Sequence, residues 1–86
     1  MKKKINFTAL EVEDIEGNKH QVNIAKALGN MLYMNGLTIE ECDLGRAIYY
    51  SEGEMELDEK QAQSVLRVTT GYPYLSRHVI EETLSF

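Results

Sequence analysis

Four turn signals divide this chain into short segments, and their spacing constrains the fold more than any other feature. The signals are EGNK, NGLT, SEGE and TTGYP, beginning at residues 16, 35, 51 and 69. Gly, Asn and Pro favour turns because they suit backbone conformations that the interiors of helices and strands do not use. Each intervening segment has room for a strand, a helix or one of each. We therefore expect many short, closely connected elements.

The size and composition of the chain match one globular domain, predicted over residues 1–86. Its 86 residues are 43% hydrophobic and 27% charged, which is usual for such domains. A chain of this size buries roughly 65% of its unfolded surface and has a net stability on the order of 5 kcal/mol. There is little room for a deep substrate cavity, so we predict that the protein is not an enzyme.

Residues 5–24 have the pattern of a β-hairpin. Apolar residues alternate at Ile5 and Phe7, and then in the opposite phase at Leu10 and Val12. This reversal of phase predicts a bulge or a change of strand partner between the two pairs.

The position of the hairpin turn is predicted from which residues each loop length would place opposite one another. A three-residue loop, Glu16 to Asn18, places Val12 opposite Val22 and keeps one face apolar, whereas a two-residue turn places Val22 opposite an acid. Asn18 tolerates the left-handed conformation that such a loop needs.

The next segment predicts a helix that ends at Asn35-Gly36. Its apolar residues recur at spacings of three and four, as one helix face requires: Ile24, Leu28, Met31 and Leu32. Tyr33 and Met34 widen the apolar surface beyond this stripe. A helix with such a wide apolar surface is either central to the fold or meets a partner.

A capping box predicts the start of the second helix. Thr38 and Glu41 have the spacing at which each side chain satisfies the other's backbone N–H. We expect an inward stripe at Leu44, Ala47 and Ile48. Gly45 would allow a neighbouring backbone to approach closely.

Alternation returns at Met55 and Leu57, which predicts a short third strand beside the hairpin. Asp58 then caps a helix whose third residue is Gln61, and Pro73 precedes a last helix. The predicted fold class is therefore α+β: an N-terminal β-hairpin, with a short third strand near Met55, packed against about four short helices.

The charge is unevenly spread along the chain. The net charge is −5, and without Lys2, Lys3 and Lys4 only six of the nine basic residues remain against 14 acidic ones. Such a body repels phosphate backbones, so nucleic acid is a poor partner. We expect the lysine run to be a solvated, frayed terminus.

Candidate catalytic and metal-binding residues lack the spacing that chemistry needs. Cys42 is the one cysteine, which excludes an internal disulfide and favours a reducing cytoplasm. Ser76 and His78 lie two residues apart and point to different sides of a helix. No metal-ligand spacing joins His20 or His78 to other ligands. We predict no catalytic residue, no metal and no cofactor.

The stretch from Val68 to Leu84 gathers many polar side chains, and we interpret it as a joint between two helices. Arg77 and His78 lie four residues before Glu81 and Glu82, the spacing of ion pairs on an exposed helix face.

The aromatic residues point to an interface. Five of the seven are Tyr, and Tyr and Met are enriched in protein interfaces. The predicted interface consists of Tyr33, Met34, Tyr49, Tyr50, Tyr72 and Tyr74. The alternative is that these side chains surround the small core of the domain itself.

A nucleic-acid function is the rival hypothesis. The stretch VNIAKALGN is similar to the first helix of a helix-turn-helix, and Lys26 and the lysine run would contact phosphates. The next helix, however, offers one Arg among several acidic residues.

The order of the hairpin, HQVNIAKALGN and DLGRAIYYSEGEMELDEKQAQSVL resembles small uncharacterised proteins encoded by bacterial prophages and other mobile elements. The resemblance implies a non-enzymatic accessory role and transfers no functional residue. We predict a cytoplasmic interaction module that binds a protein partner or a second copy of itself and contacts no membrane. The alternative is a nucleic-acid-linked regulator with a degenerate helix-turn-helix.

Overall fold

The computed structural model describes residues 2–85 and has the predicted α+β class. Its elements, in chain order, are β1 (Lys3–Ile5), β2 (Leu10–Glu13), β3 (Lys19–Val22), α1 (Ala25–Met34), α2 (Ile39–Tyr49), β4 (Met55–Leu57), α3 (Glu59–Val68) and α4 (Tyr74–Thr83). None of the helices in this described part is long and apolar enough to cross a bilayer.

The strands form two separate two-stranded antiparallel sheets, β1 with β4 and β2 with β3. The phase reversal after Phe7 is therefore a change of partner. A turn separates β1 from β2, in which the Asn6 side chain accepts a hydrogen bond from the Thr8 N–H at 3.0 Å. The predicted short strand near Met55 is confirmed as β4, but it pairs with β1 and does not extend the hairpin.

The hairpin loop has the predicted three residues but lies one position earlier in the chain. The Asp14 N–H donates to the Asn18 carbonyl at 2.9 Å, and the Gly17 N–H donates to the Asp14 carbonyl at 3.0 Å. Gly17, at φ 85°, adopts the left-handed conformation that was predicted for Asn18. Glycine has no Cβ and accepts this conformation without strain. Val22 consequently faces Leu10 instead of Val12.

The Asp14 carboxylate holds this loop together. The His20 ring lies 2.7 Å from one carboxylate oxygen, and the Asn18 and Glu16 N–H groups donate to the other at 2.9 Å. The bond to His20 and then those to the two amides hold the pKa of Asp14 below its usual value.

The predicted frayed terminus is wrong for Lys3 and Lys4, which belong to β1. Lys4 lies opposite Glu56 of β4, and Ile5 is buried in the core. Backbone pairing with β4 and burial of Ile5 fix this part of the chain.

The helices α1 and α2 cross with their backbones in contact. A Cβ atom on Gly29 would lie 2.6 Å from the Gly45 carbonyl oxygen, and one on Gly45 would lie 2.7 Å from the Gly29 carbonyl oxygen. Real Cβ atoms do not approach backbone atoms so closely, so neither position has room for a side chain. The predicted close approach at Gly45 is confirmed, and Gly29 is its counterpart.

The core lies between this helix pair, the two sheets and the helices α3 and α4. Its buried apolar residues are Ile5, Phe7, Leu10, Ala25, Leu28, Leu32, Leu44, Ile48, Leu57, Ala62, Val65, Ile80 and Leu84. Ala47 was predicted to face inward but is exposed. α2 turns Gly45 toward α1, and this orientation carries Ala47 to the outside.

The predicted cap of α3 is confirmed. The Gln61 N–H donates to the Asp58 carboxylate at 2.8 Å, and the Asp58 N–H donates to the Gln61 side chain at 3.0 Å. Both donors belong to the helix start, where no backbone acceptor is available.

The cap of α2 differs from its prediction. The Glu41 N–H donates to the Thr38 hydroxyl at 3.2 Å, as expected. The Glu41 carboxylate, however, accepts from the Leu37 N–H at 2.7 Å instead of the Thr38 N–H, and also from Arg67 of α3 at 2.9 Å. The side chain thus joins the start of α2 to α3. The Leu37 N–H and the Arg67 guanidinium hold the pKa of Glu41 below its usual value.

Replacement of Gly45 by Ala tests the helix crossing. In an open helix, Gly→Ala stabilises by about 1 kcal/mol. Here we expect Gly45→Ala to lower the free energy of unfolding by about 1–3 kcal/mol, because the new methyl group overlaps backbone atoms. Urea denaturation followed by circular dichroism measures the change. Gly53→Ala is the control, because its methyl group meets open space; a Gly45→Ala chain more stable than wild type would contradict the contact.

Replacement of Glu41 by Gln tests the contacts of its carboxylate, with the Leu37 N–H and with α3, through the pH dependence of stability. The pKa of Glu41 is lowered by folding, so its contribution is complete above the unfolded pKa of about 4.3 and is lost as the pH falls through the folded pKa. We expect Glu41→Gln to be less stable than wild type at neutral pH, with the gap closing below about pH 4. Thermal denaturation at pH values from about 7 down to about 3 measures the difference in stability. Glu40→Gln, at an exposed neighbouring position, is the control; a gap that does not depend on pH would contradict the assignment.

Candidate functional site

α1 and α2 carry the same short motif, which the sequence analysis missed. Gly29 and Gly45 contact each other's helix, and Tyr33 and Tyr49 follow them at the same spacing. The contacts are reciprocal, since each glycine also approaches the backbone N–H of the other helix's tyrosine. The matching segments are LGNMLYM from residue 28 and LGRAIYY from residue 44. A comparison of the chain with itself at a shift of 16 residues would have revealed this signal.

A shallow cleft of about 320 Å³ lies over this crossing. It is lined by Gly29, Asn30, Tyr33, Gly45, Arg46, Tyr49 and Tyr50, and we call it the tyrosine cleft. None of the large core side chains lines it, so it opens on the side of the helix pair that faces away from the core.

Two cations lie against the aromatic rings of the cleft. The Arg46 guanidinium is 5.6 Å from the centre of the Tyr33 ring, and the Lys26 ammonium is 5.8 Å from the centre of the Tyr49 ring. Both distances fall within the range of cation–π interactions. Within residues 2–85, neither cation forms an ion pair with a carboxylate. The cleft therefore combines aromatic surface with positive charge.

The structure brings four of the six predicted interface residues to this region. Tyr33 and Tyr50 line the cleft and are 47% and 73% exposed, and Met34, next to Tyr33, is 72% exposed. Tyr49 is half-buried and packs edge-on against Tyr50, with ring centres 4.9 Å apart. Large apolar side chains are thus exposed together on the α1–α2 pair.

Tyr72 and Tyr74 do not line the tyrosine cleft. Tyr74 begins α4, is 76% exposed and stacks on His78 with ring centres 5.5 Å apart. Tyr72 packs against the core, and burial raises its pKa. Its hydroxyl is buried and has no hydrogen-bond partner among residues 2–85. The structure thus does not bring these two tyrosines to the tyrosine cleft, and their part in an interface stays a prediction.

The stretch around His78 has the structure of a helix start with an exposed polar face, as predicted. Arg77 pairs with Glu81 at 2.6 Å, and His78 pairs with Glu82 at 3.0 Å. Over the described residues, no three His, Cys, Asp or Glu side chains are placed to hold a metal ion. Arg77 also donates to the Leu66 carbonyl at 3.2 Å in a partly buried contact, whereas His78 and Glu82 are both exposed.

Further apolar residues are exposed beside the α1–α2 connection, which the sequence pattern did not indicate. Leu37 and Ile39 are each 78% exposed on either side of the capping residue Thr38. A hydrophobic residue just before a cap usually packs against the first turn of its helix. Leu37 does not do so, and with Met34 it leaves apolar surface at the end of the helix pair nearest the α1–α2 connection.

The geometry of α1 and α2 differs from that of a helix-turn-helix. Lys26 approaches Tyr49 near one end of the pair, and the Cys42 thiol lies 3.5 Å from the Tyr33 carbonyl near the other. The two helices therefore run antiparallel along their lengths, whereas those of a helix-turn-helix cross at about 90–120°. The nucleic-acid hypothesis stays a prediction from the sequence alone.

Comparison with models of protein families, with curated proteins and with solved structures found no match for this chain. The resemblance to prophage-encoded proteins stays a prediction, and function has to be inferred from the geometry of the tyrosine cleft.

Replacement of Tyr72 by Phe tests whether its hydroxyl is unsatisfied. Removing a buried polar group without a partner removes a desolvation cost, so we expect the free energy of unfolding to rise by about 1 kcal/mol. Chemical denaturation measures the change. Tyr33→Phe, with an accessible side chain, is the control and should lie within about 0.5 kcal/mol of wild type. A Tyr72→Phe chain less stable than wild type would mean that the hydroxyl has a partner.

Proposed function

We propose that this protein is a non-enzymatic protein-interaction module whose docking surface is the tyrosine cleft. The observation that carries the proposal is the joint exposure of Tyr33, Tyr50 and Met34 on one rigid helix pair. Tyr, Met and Arg are the residue types enriched at protein interfaces, where they supply large contact area and an adaptable or polar tip.

The exposed area sets the expected strength of such an interface. Aromatic side chains bury about 150–250 Å² each, so the exposed parts of Tyr33, Tyr50 and Met34 together offer on the order of 400 Å². A standard interface takes about 800 Å² from each partner. The cleft alone therefore offers less area than a standard interface takes from each partner, so we expect a small and weak interface.

The rigidity of the site favours binding. Backbone contact at Gly29 and Gly45 fixes the two helices relative to each other, and the cations on the Tyr33 and Tyr49 rings restrain those side chains. A site that is ordered before binding loses less conformational entropy when the partner docks. The proposal includes a reducing, cytoplasmic setting, since Cys42 is a free thiol.

A double variant of the cleft tests the proposal. We expect Tyr33→Ser/Tyr50→Ser to weaken binding of a protein partner at least about 10-fold, because interface aromatics dominate binding energy. Tyr74→Ser is the control, since Tyr74 is about as exposed as Tyr50 but lies outside the cleft. Proteins captured by the wild-type chain would be purified and titrated calorimetrically against wild type, the double variant and Tyr74→Ser. The wild-type chain would also be titrated against itself.

Two results would contradict the proposal. One is a partner whose affinity is the same for wild type and the cleft variant. The other is a chain that stays monomeric and binds no purified protein. Salt-sensitive retention of the chain on DNA at physiological ionic strength would favour the nucleic-acid alternative instead.

A further inference from the structure

We propose that the occupant of the tyrosine cleft is a second copy of this chain, held by reciprocal ion pairs between Lys26 and Arg46 of one copy and Glu52 and Glu54 of the other. This inference rests on the proposed function and names its partner.

The positive charge of the tyrosine cleft is unusual for this acidic protein. The chain carries a net charge of −5, yet both charged side chains at the cleft are cations without a carboxylate partner among the described residues. Both cations are exposed, so a carboxylate brought by the partner can form a charge-assisted hydrogen bond with each of them. The chemistry of the cleft therefore favours an acidic segment.

The chain itself offers such a segment directly after the cleft. Glu52 and Glu54 follow Tyr50, are exposed, and form neither an ion pair nor a side-chain hydrogen bond in the part of the chain described. Glu56 lies further along the chain, opposite Lys4 in the β1–β4 sheet. Glu52 and Glu54 are thus the acids that directly follow the cleft residue Tyr50.

This acidic segment is held in place at both ends. The Ser51 hydroxyl donates to the Ile48 carbonyl at 2.7 Å, which ties the segment to the end of α2. Met55 pairs with Ile5 in the β1–β4 sheet, which fixes its other end. The acids therefore have a defined position relative to the cleft.

The proximity of the acidic and basic groups makes the surface self-complementary. Glu52 is two residues from Tyr50, so their Cα atoms are at most about 7 Å apart. A two-fold axis between the two groups brings the acids of each copy to the cations of the other and satisfies both sets at once. The result is a closed dimer and not an open chain of copies.

Electrostatics favours an arrangement in which each cleft meets the acidic segment of the other copy. Direct contact between the two clefts is less favourable. Face-to-face clefts would place Arg46 and Lys26 of one copy against the same cations of the other, and such like-charge contacts are unfavourable. The net charge of each copy opposes association, but a Debye length of about 8 Å at physiological salt screens it while close pairs remain. We expect a weak dimer.

Sedimentation equilibrium of the full chain from about 10 μM to about 1 mM tests the proposal. Wild type should dimerise. The variants Lys26→Glu/Arg46→Glu and Glu52→Lys/Glu54→Lys should each weaken the dimer at least about 10-fold, and the chain that combines all four changes should regain it through exchanged pairs. Circular dichroism verifies that each variant is folded.

The charge changes provide internal controls. Glu52→Lys/Glu54→Lys moves the net charge from −5 to −1, which by itself favours association, so its loss of the dimer isolates the specific pairs. Lys2→Glu/Lys60→Glu changes the net charge by the same amount as Lys26→Glu/Arg46→Glu. It should nevertheless leave the dimer intact, because neither lysine belongs to the proposed contact.

The outcomes separate this inference from the proposed function. A wild-type chain that is monomeric at about 1 mM, or a dimer that none of the charge variants weakens, overturns the reciprocal contact. A monomer that binds another purified protein through the tyrosine cleft overturns the second copy as occupant but leaves the interaction module standing.

Discussion

The helix backbones of α1 and α2 touch at Gly29 and Gly45, and the arrangement of the tyrosine cleft depends on this contact. Because neither residue has a side chain, the helices approach closely enough for Arg46 of one to reach the Tyr33 ring of the other. The opposite side of the pair contributes Leu28, Leu32, Leu44 and Ile48 to the core. One close approach thus organises both the interior of the protein and its candidate docking surface.

The sheets depend on the helices in turn. Two-stranded sheets are marginal in water and need an apolar partner. Here Ile5 and Leu10 supply buried side chains from β1 and β2, and α4 packs on both strands. The pairing of β1 with β4 also links the N-terminal strand to the segment after α2. The acidic residues Glu52 and Glu54 therefore lie between two fixed elements, beside the basic cleft of an otherwise acidic protein.

Features set by neighbours in sequence were predictable from the sequence. The capping box of Asp58 and Gln61 was predicted in full, because both partners lie within one helical turn. The α4 pairs of Arg77 and His78 were predicted for the same reason. The hairpin loop was predicted with the correct length but one residue too late, since loop length alone does not reveal that Gly17 takes the left-handed position. The wide apolar surface of α1 pointed to Tyr33, which lines the cleft.

By itself, the sequence determined the α+β class, the number and approximate limits of the helices, and the cap of α3, because these follow from interactions between residues a few positions apart. Only the tertiary structure decided that β4 pairs with β1, that Glu41 turns to Arg67, and that Tyr72 belongs to the core while Tyr50 belongs to the cleft. These contacts form between segments that are far apart in the sequence. The periodicity of a segment shows which of its faces is apolar but not which distant segment packs against it.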